Sequence, residues 1–166
     1  MITPAYAQLM ANYNRWQNQR IYATADMLQD EQRKLDQGAF FGSIHGTLNH
    51  LLWADQTWLH RFAGTAAPSV KRPRESTTMF AQWDDLKRER QAFDETIIGW
   101  TNALDDAWLA GDITWFSGAV GREISRPRWR IVSHFFNHQT HHRGQVHAML
   151  TRLGTRFEAT DLMLME

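Results

Sequence analysis

Five histidines, His134, His138, His141, His142 and His147, fall within the fourteen residues 134–147, "HFFNHQTHHRGQVH". Imidazole is a neutral nitrogen donor suited to zinc, nickel, copper or iron, and its charge changes near neutral pH. On a helix, residues three or four apart share a face, and four residues rise about 6 Å. His134 with His138, His138 with His142, and His138 with His141 are therefore all pairs able to grip one divalent ion. This is the logic of His-x-x-x-His in zinc enzymes. Spacing alone does not choose between 134/138 and 138/142. His147 comes five residues after His142 and reads as surface. A pair is not a site, so a third donor must come from elsewhere. His50, in "LNHLLWAD", is set among apolar residues, where an imidazole without a partner is costly. The competing reading of His50 is a hydrogen-bonded core histidine. His45 is five residues away and points elsewhere; His60, beside Arg61, reads as solvated.

Four helices are needed to position these residues. Thr3 as cap and Pro4 at the first helical position open the first, with Leu9, Tyr13, Trp16 and Arg20 recurring to about Leu28. The second begins near Ser43, carries Leu48, Leu51, Leu52, Trp58 and Leu59, and stops at Gly64. Residues 64–75, "GTAAPSVKRPRE", read as a loop. The third starts near Ser76 or Thr77 and repeats Phe80, Trp83, Leu86, Arg90, Phe93, Ile97, Trp100 and Leu104. The period then breaks. Two short runs, Ile113–Phe116 and Arg122–Ser125, flank "SGAVG" and suggest a small hairpin. The fourth helix runs from about Pro127 to Leu153, and the tail "TRFEATDLMLME" is expected to dock on the bundle. Four amphipathic helices and few strands give an all-α four-helix bundle, and the long connections permit a crossover.

Composition narrows the chemistry. The 166 residues suit one domain, 1–166, with a core that needs no staples. Hydrophobic residues make up 43%, and eighteen basic residues balance eighteen acidic ones, without the basic footprint of a nucleic-acid binder. There is no cysteine, so any metal must be held by nitrogen and oxygen. The N-terminus lacks the basic and apolar regions of a signal peptide, and no run approaches the roughly 18 apolar residues of a membrane span. The expectation is a cytoplasmic protein. The eight tryptophans read mainly as core filler.

"YNRWQNQR" (13–20), "LNHLLWADQTWL", "NHQTHHRGQ" and "LGTRFEATDL" together resemble the DinB/YfiT family of small metal-binding four-helix bundles. That family is unrelated to the DNA polymerase also called DinB. The resemblance spans essentially the whole chain. It is most specific at His-x-x-x-His-Arg-Gly-Gln, where the second ligand directly precedes Arg-Gly-Gln. It implies His50, His138 and His142 as the metal triad, and supporting or surface roles for His134 and His141. It also implies a crossover topology, a divalent ion (zinc or nickel), a homodimer, and a small-molecule substrate met by thiol transfer or hydrolysis.

Three neutral ligands leave an open position and the ion's full positive charge, which suits activation of water or of a thiol. Gln139 stands where the glutamate of His-Glu-x-x-His would be, which counts against a metalloprotease-like mechanism. Gln145, seven residues after His138, shares its face and is a candidate to orient water or substrate. Asp55 lies off the ligand face, with a structural role favoured over support of a ligand. Asn14 and Arg143 are weaker candidates. Three functions follow: a metal-dependent enzyme, a non-catalytic metal-binding protein, and a stress-response factor that binds a partner or nucleic acid. The open site favours the first, and the neutral charge disfavours nucleic acid. Reference imidazole pKa values predict that metal occupancy falls below about pH 6.5.

Overall fold

The computed structural model of the protein describes residues 1–118 and 120–165. Helix α1 (Pro4–Asp26) starts where Thr3 Oγ1 accepts the Tyr6 N–H at 3.2 Å. A short helix α2 (Asp30–Lys34), which the sequence reading left out, turns the chain before α3 (Ile44–Ala63). Ser43 caps α3 through the Gly46 N–H at 3.0 Å, and Gly64 ends it with φ 67°. Next come α4 (Trp83–Asn102), a single turn α5 (Asp106–Ala110), the hairpin β1 (Asp112–Ser117) and β2 (Arg122–Pro127), and α6 (Arg128–Arg152). The hairpin is antiparallel, with Trp115 opposite Ile124. The fold is therefore all-α with one two-stranded insert between the last long helices, as the sequence predicts.

Two expectations need correction. The third long helix starts at Trp83, not at Ser76 or Thr77; Glu75–Thr78 form only a 3₁₀ turn. The reason lies on α3. Asn49 accepts the Phe80 N–H at 2.8 Å, and the Phe80 carbonyl accepts from Asn49 at 3.1 Å and from His45 Nε2 at 2.8 Å. Side chains of α3 thus hold both backbone groups of Phe80, and no helical turn forms there. The second correction concerns α1. Leu9 is 43% exposed, and the buried face is Ala7, Ala11, Asn14, Asn18, Ile21 and Ala25. That face is small and polar because of what it meets in the core.

Partner contacts fix the topology. Gln8 bonds to Thr101, Asn14 and Asn18 to Asp94, and Trp83 to Asp26, so α1 and α4 run antiparallel. His50 meets His142 and Trp58 meets His134, so α3 and α6 are antiparallel too. His45 lies near Trp83, Gln56 bonds to Glu89 and Phe62 stacks on Trp100, so α3 and α4 run parallel. Parallel neighbours in sequence need a connection that retraces the bundle. Residues 64–82 do this, passing Trp53 at Val70, His50 at Ser76 and Asn49 at Phe80. This is the crossover strap. The tail docks on the far side, with Tyr13 and Gln17 donating to the Thr160 carbonyl and Phe157 packed on His147.

Candidate metal centre

His50 comes from α3, and His138 and His142 come from successive turns of α6. One ring nitrogen from each lies within 4.8 Å of the others. Ring centroids stand 5.0 Å (His50 to His142), 5.4 Å (His50 to His138) and 4.4 Å (His138 to His142) apart. The His138 and His142 Nε2 atoms approach to 3.1 Å. Two nitrogens bound to one tetrahedral ion at ordinary zinc–nitrogen distances would stand about 3.3 Å apart. The pair is thus already near ligating separation.

Hydrogen bonds assign the tautomers. The Ser76 hydroxyl donates to the Pro73 carbonyl, so it accepts from His50 Nδ1–H at 3.1 Å. His142 Nδ1–H donates to Gln145 Oε1 at 2.8 Å. Both rings are left with a bare Nε2, the form a metal needs, and both are held by their outer nitrogens, as metal-ligating histidines usually are. Burial lowers the His50 pKa to about 3, helped by His142. Burial likewise lowers His138 to about 3, with His142 and His50 adding to it. His142 is lowered by burial too, against a raising contribution from Gln145. All three are neutral at physiological pH. Phe41 stacks on the His50 ring at 3.7 Å, and Trp53 lies 5.5 Å away, so aromatic rings exclude water on that side.

The other predicted residues separate from the triad. Gln145 orients His142 and donates to His141 at 3.2 Å. Asp55, Asn14 and Arg143 join a buried network that spans the four long helices. Arg90 pairs with Asp55 at 2.7 Å and with Asp94 at 2.8 Å. Gln139 donates to Asp55, Asn14 and Asn18 donate to Asp94, and Arg143 donates to Asn14. Burial works against the Arg90 charge, but Asp94 and Asp55 hold its pKa above the ordinary guanidinium value. Burial lowers Arg143 to about 10. His45 is taken by Phe80, and His60 is exposed beside the Thr65 carbonyl. His134 lies one turn from the triad, against Trp58 at 5.7 Å. His147 is half-buried against Phe157 and distant from the cluster. Sequence reasoning missed Ser76 and Phe41. Neither carries a signal, because each reaches His50 only through loop geometry.

A family-wide sequence model described as "DinB family" matches residues 1–166. Protein DinB of Bacillus subtilis (strain 168) is 24% identical over 160 residues, which cover 94% of this chain and 91% of the relative. With a match over its full length and a three-histidine cluster able to hold a metal ion, the chain belongs to the DinB family.

Proposed function

We propose that the protein is a divalent-metal-dependent enzyme acting on small molecules, with His50, His138 and His142 as ligands of zinc or nickel. The observation that supports this most is the apposition of three neutral imidazoles, two of them locked by Ser76 and Gln145 with Nε2 unprotonated. No fourth histidine or carboxylate joins the cluster among the described residues. Structural zinc sites close with four protein ligands, whereas three ligands leave a place for substrate. An ion held there would supply Lewis acidity toward water or a thiol.

The chain's own residues favour the thiol. Gln139 is buried and donates to Asp55, so α6 offers no carboxylate base at that position. A thiol ionises near pH 8.5 and needs less help than water. Transfer of a low-molecular-weight thiol is therefore the preferred reaction, with hydrolysis of a small ester or amide as the alternative. Ser76 and Gln145 orient the ligands, and Phe41 with Trp53 shields one side. The same reading takes a second copy of the chain as the partner and the cytoplasm as the compartment. No helix among the described residues is long and apolar enough to cross a membrane.

Elemental analysis tests the reading. Tag-free protein reconstituted with zinc or nickel is expected to hold about one ion per chain, and His50→Ala to hold none. Wild-type protein that takes up neither metal would overturn it.

A further inference from the structure

Arg61 is a half-buried cation with no anion to meet. Its guanidinium lies 4.5 Å over the Trp58 ring and 5.9 Å from Trp115. No carboxylate pairs with it and it donates no hydrogen bond among the described residues, while burial works against its charge. Its position is not remote from the chemistry. His50 and Arg61 are eleven residues apart on α3, which returns the helix to within about 20° of the same face, roughly 16 Å along the axis. Long side chains on a helix lean toward its N-terminus. Arg61 accordingly reaches back over Trp58, toward the triad. A row of rings joins the two ends, His134 exposed and the others partly so: His138, then His134 at 5.7 Å, then Trp58 at a further 5.7 Å, with Trp115 of the hairpin as a side wall 5.3 Å from Trp58.

We propose that Arg61, Trp58 and Trp115 form a carboxylate-binding subsite, so that the substrate is an elongated thiol or thiol adduct with its sulfur end at the triad and a carboxylate on Arg61. This rests on the metal-enzyme reading above. An arginine held over tryptophan by its carbon centre and engaged by no acceptor has N–H groups to offer, and a guanidinium edge matches a carboxylate in two parallel hydrogen bonds. The aromatic strip between the ends suits an apolar spacer of about 10–15 Å. A purely structural staple between α3 and the hairpin would need the rings but would not discriminate between an anionic and a neutral ligand.

The test uses cobalt-substituted protein and the charge-transfer absorption of a bound thiolate. The probes are straight-chain mercaptocarboxylates of increasing length and the matching mercaptoalcohols. At the length that spans the strip, the acid is expected to bind at least about tenfold tighter than the alcohol, a difference of about 1.4 kcal/mol. Arg61→Met should bring the two within about twofold, and Arg61→Lys should keep part of the gap. Each comparison is made on one protein, so loss of stability in a variant cancels; if Arg61→Met does not fold, Arg61→Gln replaces it. No gap in the wild type, or a gap that survives in Arg61→Met, overturns the subsite. If no thiol of either series gives the band, the thiol-transfer reading fails by itself. The subsite is then scored in metal-free protein by tryptophan fluorescence, with a medium-chain carboxylate against its alcohol. A response to the acid alone that Arg61→Met abolishes supports it, and equal responses overturn it.

Discussion

At the scale of single residues, the site depends on which nitrogen of each ring is free. Ser76→Ala removes the acceptor of His50 Nδ1–H and lets the ring turn. Metal affinity is expected to fall about 10–100-fold, as titration against a chromophoric chelator would show. His138→Ala and His142→Ala should each abolish binding, while His147→Ala should keep it; equal loss in all three would contradict the ligand set. The depressed pKa values also set a pH dependence. An unfolded histidine titrates near 6.5, whereas His50 and His138 in the fold do so only near 3, and His142 is lowered too. As pH falls below about 6.5 the unfolded chain takes up protons that the folded chain refuses. The metal-free fold therefore loses stability from there downward, by up to about 1.4 kcal/mol per pH unit for each such histidine, and gains nothing further above pH 7. Urea midpoints of metal-free protein between pH 8 and pH 5 should show this slope, shallower in His50→Ala. For the same reason metal occupancy should persist below pH 6.5 while the chain stays folded, lower than the reference pKa predicts. A loss centred at 6.5 would mean solvated imidazoles.

At the scale of elements, Gly46 shows how α3 accommodates the loop that shields His50. A Cβ there would stand 2.5 Å from the Phe41 carbonyl, and backbone cannot yield cheaply. Gly46→Ala is expected to destabilise by about 1–3 kcal/mol in urea unfolding and to weaken metal binding by displacing the Phe41 ring. The sequence announces elements of this kind unevenly. Helix α3 was legible because Ser43 and Gly64 bracket its apolar residues, α6 because Pro127 precedes it and Gly154 follows it, and the hairpin because glycines separate two β-tolerant runs. The start of α4 was not, because Asn49 and His45, some thirty residues earlier, compete for the Phe80 backbone. The buried face of α1 was misread because periodicity was sought in large apolar side chains, while Ala7, Ala11, Asn14 and Asn18 carry it. The histidine pairing on α6 stayed open on spacing alone; only the resemblance selected 138/142. Ser76 was legible only as a helix start, since its role depends on the strap.

At the scale of the whole molecule, the Arg90 network explains why the four helices adopt this arrangement. Each long helix contributes to it, and a shift of any one leaves a buried charge without its partner. Arg90→Met exposes Asp55 and Asp94 to each other in the core and is expected to cost about 3–5 kcal/mol in urea unfolding. Replacing Arg90, Asp55 and Asp94 together with apolar residues of similar volume should restore much of that loss. Failure to recover would place the penalty in packing rather than in charge.

The ligands sit on α3 and α6, with roughly ninety residues of chain between His50 and the α6 pair, a loop of the size whose closure by a covalent bridge is worth about 4–5 kcal/mol. An ion held by both helices would act as that bridge, tying the strap, α4 and the hairpin into one closed circuit. A chain with no cysteine would thereby gain a cross-link that a chelator can cut. Its resistance to unfolding would then report on metal supply.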